Sequence, residues 1–162
     1  MAKTKITALL HTCNHGLQLG RALDSLRLCD EILVIDHGSA DDTLKVAREH
    51  GARVVQGVSG VDHGAYAHDA QNDWILCLLP SESLAEELEA SILEWREEEH
   101  AGAAPGFNVG VRVQNGKGWK FLPAEMRLVN RKQLNWVGDL PPDNPNAPSL
   151  KGYLLRIPKD GE

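Results

Sequence analysis

Residues 31–36 read Glu-Ile-Leu-Val-Ile-Asp, an uninterrupted apolar run rich in β-branched residues and closed at each end by an acid. A strand with one wet face alternates apolar and polar side chains. A continuous run belongs instead to a strand covered on both faces, the usual state of a parallel sheet. Parallel neighbours cannot be joined by a tight hairpin and need a crossover, most often a helix. Helical signals flank the run as that rule demands. Before it, Leu19, Ala22, Leu23 and Leu26 recur at helical spacing. After it, Ser39-Ala-Asp-Asp42 predicts a helix start, with a hydroxyl N-cap and acids suited to the positive end of the macrodipole. Gly51, behind Arg48-Glu49-His50, predicts where that helix stops.

The alternation extends along the first hundred residues. Lys5–His11, Ala52–Gln56 and Asp73–Leu78 read as further strands, and a short helix fits 64–71. Leu84, Leu88, Ile92 and Trp95 mark a longer helix, whose other face carries Glu86, Glu87, Glu89 and Glu94 and runs on into Glu97–Glu99, as a solvated face does. Past the small-residue and proline break at Ala101–Gly106 the helical period disappears. Val109, Val111 and Val113 alternate as a strand, Asn115-Gly116 signals a turn, and Trp119–Phe121 returns as the partner. Strands are also expected at 125–130 and 151–157, with the proline-rich 141–148 as an irregular loop. The 162 residues are therefore expected to form a single α/β domain of three layers. Its mainly parallel twisted sheet carries an antiparallel addition, with 1–100 as a βα half and 101–162 as a smaller strand-rich half.

Charge and composition exclude several classes. The net charge of −6 is uneven: residues 1–100 carry 8 basic and 18 acidic side chains, and 101–162 carry 9 and 5. Nucleic acid is not an expected partner of such a chain. No run approaches the ~18 apolar residues of a membrane span. Met1-Ala2-Lys3-Thr4-Lys5 passes into the first strand without a long apolar leader, so a cytoplasmic location is expected. Cys13, Cys29 and Cys77 are odd in number and form no CxxC pair, which fits a reducing compartment.

Open α/β sheets bind ligands outside the carboxyl ends of their strands. That rule directs attention to His11–His15, Asp36–Thr43, Gly60–Asp69 and Leu79–Glu82. Asp36 ends an apolar strand beside Gly38-Ser39 and a helix start, which suits ribose hydroxyls or a base edge at the carboxylate and an anion at the amides. The same residues also serve a plain βα turn in which Ser39 and Asp42 cap the helix. His11, His15 and His37 fall at the ends of neighbouring strands, with Cys13 and His63 near. Imidazoles and a thiolate suit Zn²⁺ or another borderline transition metal, although no spaced motif such as HExxH is present. Scattered polar filling of a cleft is the other reading. GxGxxG, Walker and GxSxG motifs are absent from the sequence. Trp119 and Trp136 are candidates for stacking on a sugar as well as for the core.

Thr12-Cys-Asn14, with Arg21, Leu23, Ser25 and Leu26 at fixed offsets, is followed by Asp30–Thr43, Gly51-Ala52 and Asp73-Trp74 with its apolar strand. This ordered series over about residues 5–96 resembles the family 2 glycosyltransferases, and within them the bacterial branch that adds sugars to lipopolysaccharide cores. The resemblance implies the GT-A nucleotide-diphospho-sugar-binding fold and a nucleotide pocket lined by Thr12, Asn14, His15, Asp36, Gly38 and Ser39. It implies transfer of a sugar from a nucleotide-sugar to a glycan or lipid-linked acceptor. It also implies Mg²⁺ or Mn²⁺ on the donor diphosphate, held by an Asp-x-Asp-type motif.

The chain departs from that pattern at three places. The family's first loop usually carries an acid where His15 stands. Leu79 and Ser81 occupy the acidic metal positions, which leaves Glu82 as the candidate ligand. Arg127-Leu-Val and Trp136-Val-Gly138 resemble the segment before the family's acceptor-side His-Glu pair, but Pro141 and Pro142 take those positions. Asp139 is then the nearest carboxylate that would serve as a base. The chain also ends sooner than most members of the family. Weak or absent turnover is expected, the alternative being a non-catalytic nucleotide- or sugar-binding or partner module. A homodimer would cover the apolar patch left by missing C-terminal bulk.

Overall fold

The computed structural model describes residues 3–98 and 104–158; Met1, Ala2, Glu99 of the acidic run and Ala101–Ala103 of the small-residue break lie outside the described residues. Four strands, β1 (Ile6–Thr12), β2 (Glu31–Asp36), β3 (Arg53–Gln56) and β4 (Trp74–Leu78), run parallel in the order β3-β2-β1-β4. The crossovers between them are α1 (Gly16–Asp24), α2 (Thr43–Glu49) and a 3-10 helix, His63–Asp69. The apolar run 31–36 coincides with β2 and is buried along nearly its whole length.

Both faces of the sheet are covered. Ile6, Ala8 and Leu10 of β1 join a cluster with Leu19 and Leu23 of α1 and with Leu88, Ile92 and Trp95 of α3 (Glu86–Arg96). Trp74 and Trp95 meet edge-on there, with ring centroids 4.8 Å apart, a geometry worth about 0.5–1.5 kcal/mol beyond area burial. Leu9, Leu33 and Ile35 join the opposite cluster with Tyr66 and Trp136. Successive side chains of a strand point to opposite faces. His11 therefore shares the Leu9 face, while Thr12 shares that of Leu10.

The second half extends the same sheet. β6 (Gly106–Asn115), β7 (Gly118–Asn130), β8 (Ser149–Arg156) and β5 (Glu82–Leu84) complete the eight-stranded order β3-β2-β1-β4-β7-β6-β8-β5. β7 runs antiparallel to both β4 and β6, β8 is parallel to β6, and β5 is antiparallel to β8. The sheet is thus mixed, with its unbroken parallel stretch confined to β3-β2-β1-β4.

Three local expectations are corrected. Trp119–Phe121 and 125–130 are one strand, because register shifts between Phe107/Asn108 and Val109/Val111 absorb the broken alternation. Leu84 belongs to β5 rather than to the helix, since pairing with Leu154 of β8 holds it extended, and α3 starts at Glu86. Ser39 does not cap α2: its hydroxyl is taken by Asp36, and Asp42 occupies the N-cap position without a side-chain bond. Gly51 behaves as expected, with φ at +79° just past the helix and its N–H donating to the Arg48 carbonyl at 3.0 Å. Among the described residues no helix is long and apolar enough to cross a membrane.

Candidate functional site

Beyond the carboxyl ends of β1 and β2 the chain turns twice, and the two turns are laced together. Asn14 takes a left-handed φ of +58°, a conformation that Asn tolerates better than most residues. Its Oδ1 accepts from the Ala40 N–H at 2.7 Å and the Asp41 N–H at 3.3 Å. The Asn14 N–H donates to Ser39 Oγ at 2.9 Å. Ser39 in turn donates to Asp36, through Oγ to Oδ1 at 2.5 Å and through its N–H to Oδ2 at 3.0 Å. Gln56 Nε2 adds a 3.3 Å bond to Oδ2.

Asp36 is only 1% exposed, so its carboxylate is the internal hub of the loop and orients the Ser39 hydroxyl and the Gln56 amide. His15 Nδ1 accepts from the Cys13 N–H at 3.1 Å and lies 3.1 Å from Thr12 Oγ1. The amide proton makes Nδ1 the unprotonated nitrogen, so the Thr12 hydroxyl is also a donor. Gly38, at φ +85°, lets the second loop turn. Thr12, Asn14, His15, Asp36, Gly38 and Ser39 thus form one contiguous constellation. Beside it opens a cleft of about 340 Å³, bordered by Asn14, Gly16, Arg21 and Asp41.

The other side of these strand ends holds a second constellation. The ligand-capable nitrogens of His11, His37 and His63 all lie within 4.8 Å of one another. His11 Nδ1 is 2.9 Å from His37 Nε2, and the three rings stack with centroids 4.2 to 5.2 Å apart. Burial, opposed by Asp139 and reinforced by His63 and His37, lowers the His11 pKa from 6.5 to about 4. Burial first and His63 second also lower His37, against Asp139 and Asp36. His11 Nε2 is buried and has no hydrogen-bond partner among the described residues.

Two glycines build this second cluster. A Cβ on Gly57 would lie 2.3 Å from His37 Nδ1, so the missing side chain is what admits the ring. A Cβ on Gly64 would lie 2.0 Å from the Trp136 carbonyl oxygen. The 3-10 helix therefore seats directly on the chain at Trp136, and Asp139 Oδ1 meets His63 Nδ1 across 76 residues of sequence. Cys13 and His15 remain with the first constellation, through the Cys13 N–H bond to His15 Nδ1 and the Thr12–His15 contact. Sequence reasoning found the histidines but missed the link to Asp139, for which the chain carries no local signal.

Glu82 lies in neither cluster. It begins β5, is 1% exposed, and its Oε1 accepts from the Leu79 N–H at 2.8 Å and Arg127 Nη1 at 2.5 Å. Oε2 accepts from Arg127 Nη2 at 2.9 Å and from Nε and Nη2 of Arg156 at 3.0 and 2.9 Å. Arg127, fully buried, also donates to Glu125 at 2.9 Å. Burial by itself pushes the Glu82 carboxyl up. The hydrogen bonds and charge of Arg127, with the Leu79 amide and Arg156, outweigh it and hold the group below the ordinary carboxylate range. A metal ion would have to displace two guanidinium groups. With Leu79 and Ser81 beside it, this donor set does not fit a hard Mg²⁺ or Mn²⁺ ion, which needs several oxygen ligands.

No family model matches the chain. Over 92 residues it is 35% identical to uncharacterized glycosyltransferases of Rickettsia felis and Rickettsia conorii, and 33% identical to one of Rickettsia prowazekii. These alignments cover 54% of this chain, which spans about a third of the length of the curated relatives it matches (32–33%). Among solved structures, it is similar to glucosyl-3-phosphoglycerate synthase from Mycobacterium tuberculosis in complex with Mg²⁺ and uridine-diphosphate. The TM-score is 0.52 at 20% identity, covering 70% of this chain and 45% of that one. The complex of the same synthase with Mn²⁺ and UDP-glucose gives a TM-score of 0.51 at the same identity and coverage. The chain has a GT-A-like fold and, over 92 residues, is similar in sequence to glycosyltransferases.

Proposed function

We propose that this chain is a family 2 glycosyltransferase-like unit that binds a nucleotide-diphospho-sugar at the carboxyl ends of β1 and β2 and transfers the sugar weakly or not at all. The observation that carries this reading is the contrast between two strand ends. After β1 and β2, Asn14, Asp36 and Ser39 form a complete, mutually braced set of polar groups. After β4, Leu79 and Ser81 stand where the resemblance calls for acids, and Glu82 is consumed by arginines. The likeness to the Rickettsia glycosyltransferases supports the donor class, as do the UDP and UDP-glucose held by the mycobacterial synthase.

Transfer at an anomeric carbon needs a base within reach of the acceptor hydroxyl and charge stabilisation of the leaving diphosphate. Asp139 is engaged by His63, and the hard-cation donors are missing. Binding therefore survives in this reading while turnover does not. A non-catalytic nucleotide-binding module on the same fold is the second reading, and the buried state of Glu82 favours it.

Calorimetric titration with UDP and UDP-glucose, with and without Mn²⁺, tests both, run beside an assay for sugar release or transfer. The expected outcome is UDP binding that Mn²⁺ leaves essentially unchanged and that Ser39→Ala weakens by about tenfold, because it removes the hydroxyl that joins Asn14 to Asp36 and braces the two loops. Mn²⁺-dependent tight binding with steady turnover would overturn the defective-site reading. Absence of binding to either nucleotide would overturn the donor class itself.

A further inference from the structure

We propose that His11, His37 and His63 bind a borderline divalent transition metal, Zn²⁺ in the first instance, at a site distinct from any cation carried by a nucleotide. The three imidazoles come from the end of β1, the residue after β2 and the start of the 3-10 helix, yet their ligand nitrogens converge within 4.8 Å. A tetrahedral ion bonded at about 2.0–2.1 Å holds its nitrogens roughly 3.3 Å apart. The closest pair here, at 2.9 Å, must open slightly and the widest must draw in, movements that imidazole rotation supplies.

Independent features point to a ligand rather than to incidental stacking. His11 is 5% exposed, and its Nδ1 faces His37 Nε2 at 2.9 Å from inside the fold, so the buried ring presents that nitrogen to the cluster. Asp139 engages His63 at Nδ1, which leaves Nε2 as the nitrogen available to a metal. A carboxylate behind a ligating histidine is the usual outer partner, fixing both tautomer and ring orientation. Gly57 clears the space that the His37 ring fills.

The chemistry of the donor set selects the metal. Three imidazoles suit Zn²⁺ and its borderline neighbours, whereas Mg²⁺ and Mn²⁺ prefer carboxylate, carbonyl and water oxygens. Three protein ligands leave a coordination position for water or an anionic oxygen, the arrangement of open zinc sites. His37 and His63 border a cleft of about 480 Å³ with Gly38, Gln56 and Gly57, from which such a ligand would enter.

The test uses the full chain, purified without a histidine tag and stripped with a chelator. Zn²⁺ is titrated in competition with a chromophoric chelator, and Co²⁺ reports the ligand field by visible absorption. One equivalent per chain is expected. His37→Ala and His63→Ala should each weaken Zn²⁺ by more than about 100-fold, and Asp139→Asn by about 10–100-fold, the range for outer partners. His68→Ala, at an exposed histidine outside the cluster, should leave the affinity unchanged. Circular dichroism melts of the metal-free variants establish that they are folded, and His37 and His63 are only partly buried. Failure of the stripped protein to take up Zn²⁺ overturns the proposal, as does binding that survives in the His37→Ala/His63→Ala double variant. Neither measurement contains a nucleotide, so its failure leaves the nucleotide-sugar reading standing, and the reverse also holds.

Discussion

At Glu82 one carboxylate accepts from a backbone amide and two guanidinium groups, and nothing in the local sequence announces it. Removing one member of a buried ion pair leaves the other charge uncompensated, which costs about 3–5 kcal/mol, while replacing both with apolar residues is far cheaper. Glu82→Ala should therefore lower urea-unfolding stability by about that amount, and the double variant Glu82→Leu/Arg127→Met should recover most of it. The same site predicts a pH dependence. Arg127 and Arg156 face Glu82, Glu125 pairs with both arginines, and the Glu82 carboxyl titrates below 4.5 in the fold. The unfolded chain then takes up this proton first as pH falls. The stabilisation is complete above about 4.5 and is lost as pH falls through the lower folded value. Thermal melts across that range should show the acid loss, and Glu82→Gln should flatten it. At Asp36 the sequence correctly marked a strand-end carboxylate beside Ser39. Its orientation, inward to Ser39 and Gln56, depended on neighbours 3 and 20 residues away.

Elements with a strong period were legible. β2 coincides with residues 31–36 because an unbroken apolar run has few alternatives, and α1 carries the predicted stripe of Leu19, Ala22 and Leu23. β5 was hidden because three residues carry no period, and its extended state comes from β8. β7 looked like two strands because Pro123 interrupts it. That residue falls at a register shift and outside the stretch paired with β4, where a missing N–H is tolerated. The two glycines that seat the histidine cluster should respond differently to a methyl group. Gly64→Ala drives a Cβ against backbone at Trp136, so a loss of about 1–3 kcal/mol or more is expected from overpacking, read as a lower melting temperature. Gly57→Ala meets the His37 ring first, which can swing aside, while the Asp36 carbonyl oxygen lies 3.2 Å from the new Cβ. Stability should change little, while the His37 imidazole resonances shift.

For the molecule as a whole, β7 ties the halves together by pairing with β4 on one side and β6 on the other. Unfolding is expected to be one cooperative step. Fluorescence reports the tryptophan environments, with Trp74 and Trp95 on one face and Trp136 on the other. Its urea transition should coincide with that of far-ultraviolet circular dichroism, and separated transitions would contradict a single unit. The sheet also divides the chemistry: the Asn14–Asp36–Ser39 lacing and the histidine cluster occupy opposite sides of the same strand ends. The strand–helix alternation, the covered parallel strands and the strand ends where polar residues gather are all legible in the chain's residue pattern. Those properties follow from period and propensity, which act over a few residues. Long-range packing sets the rest: His63 meets Asp139, His15 parts from His11, and Glu82 closes on Arg127 rather than on a metal. Each outcome depends on strand pairing and close backbone approach between segments far apart in the chain, and no local pattern encodes those distances.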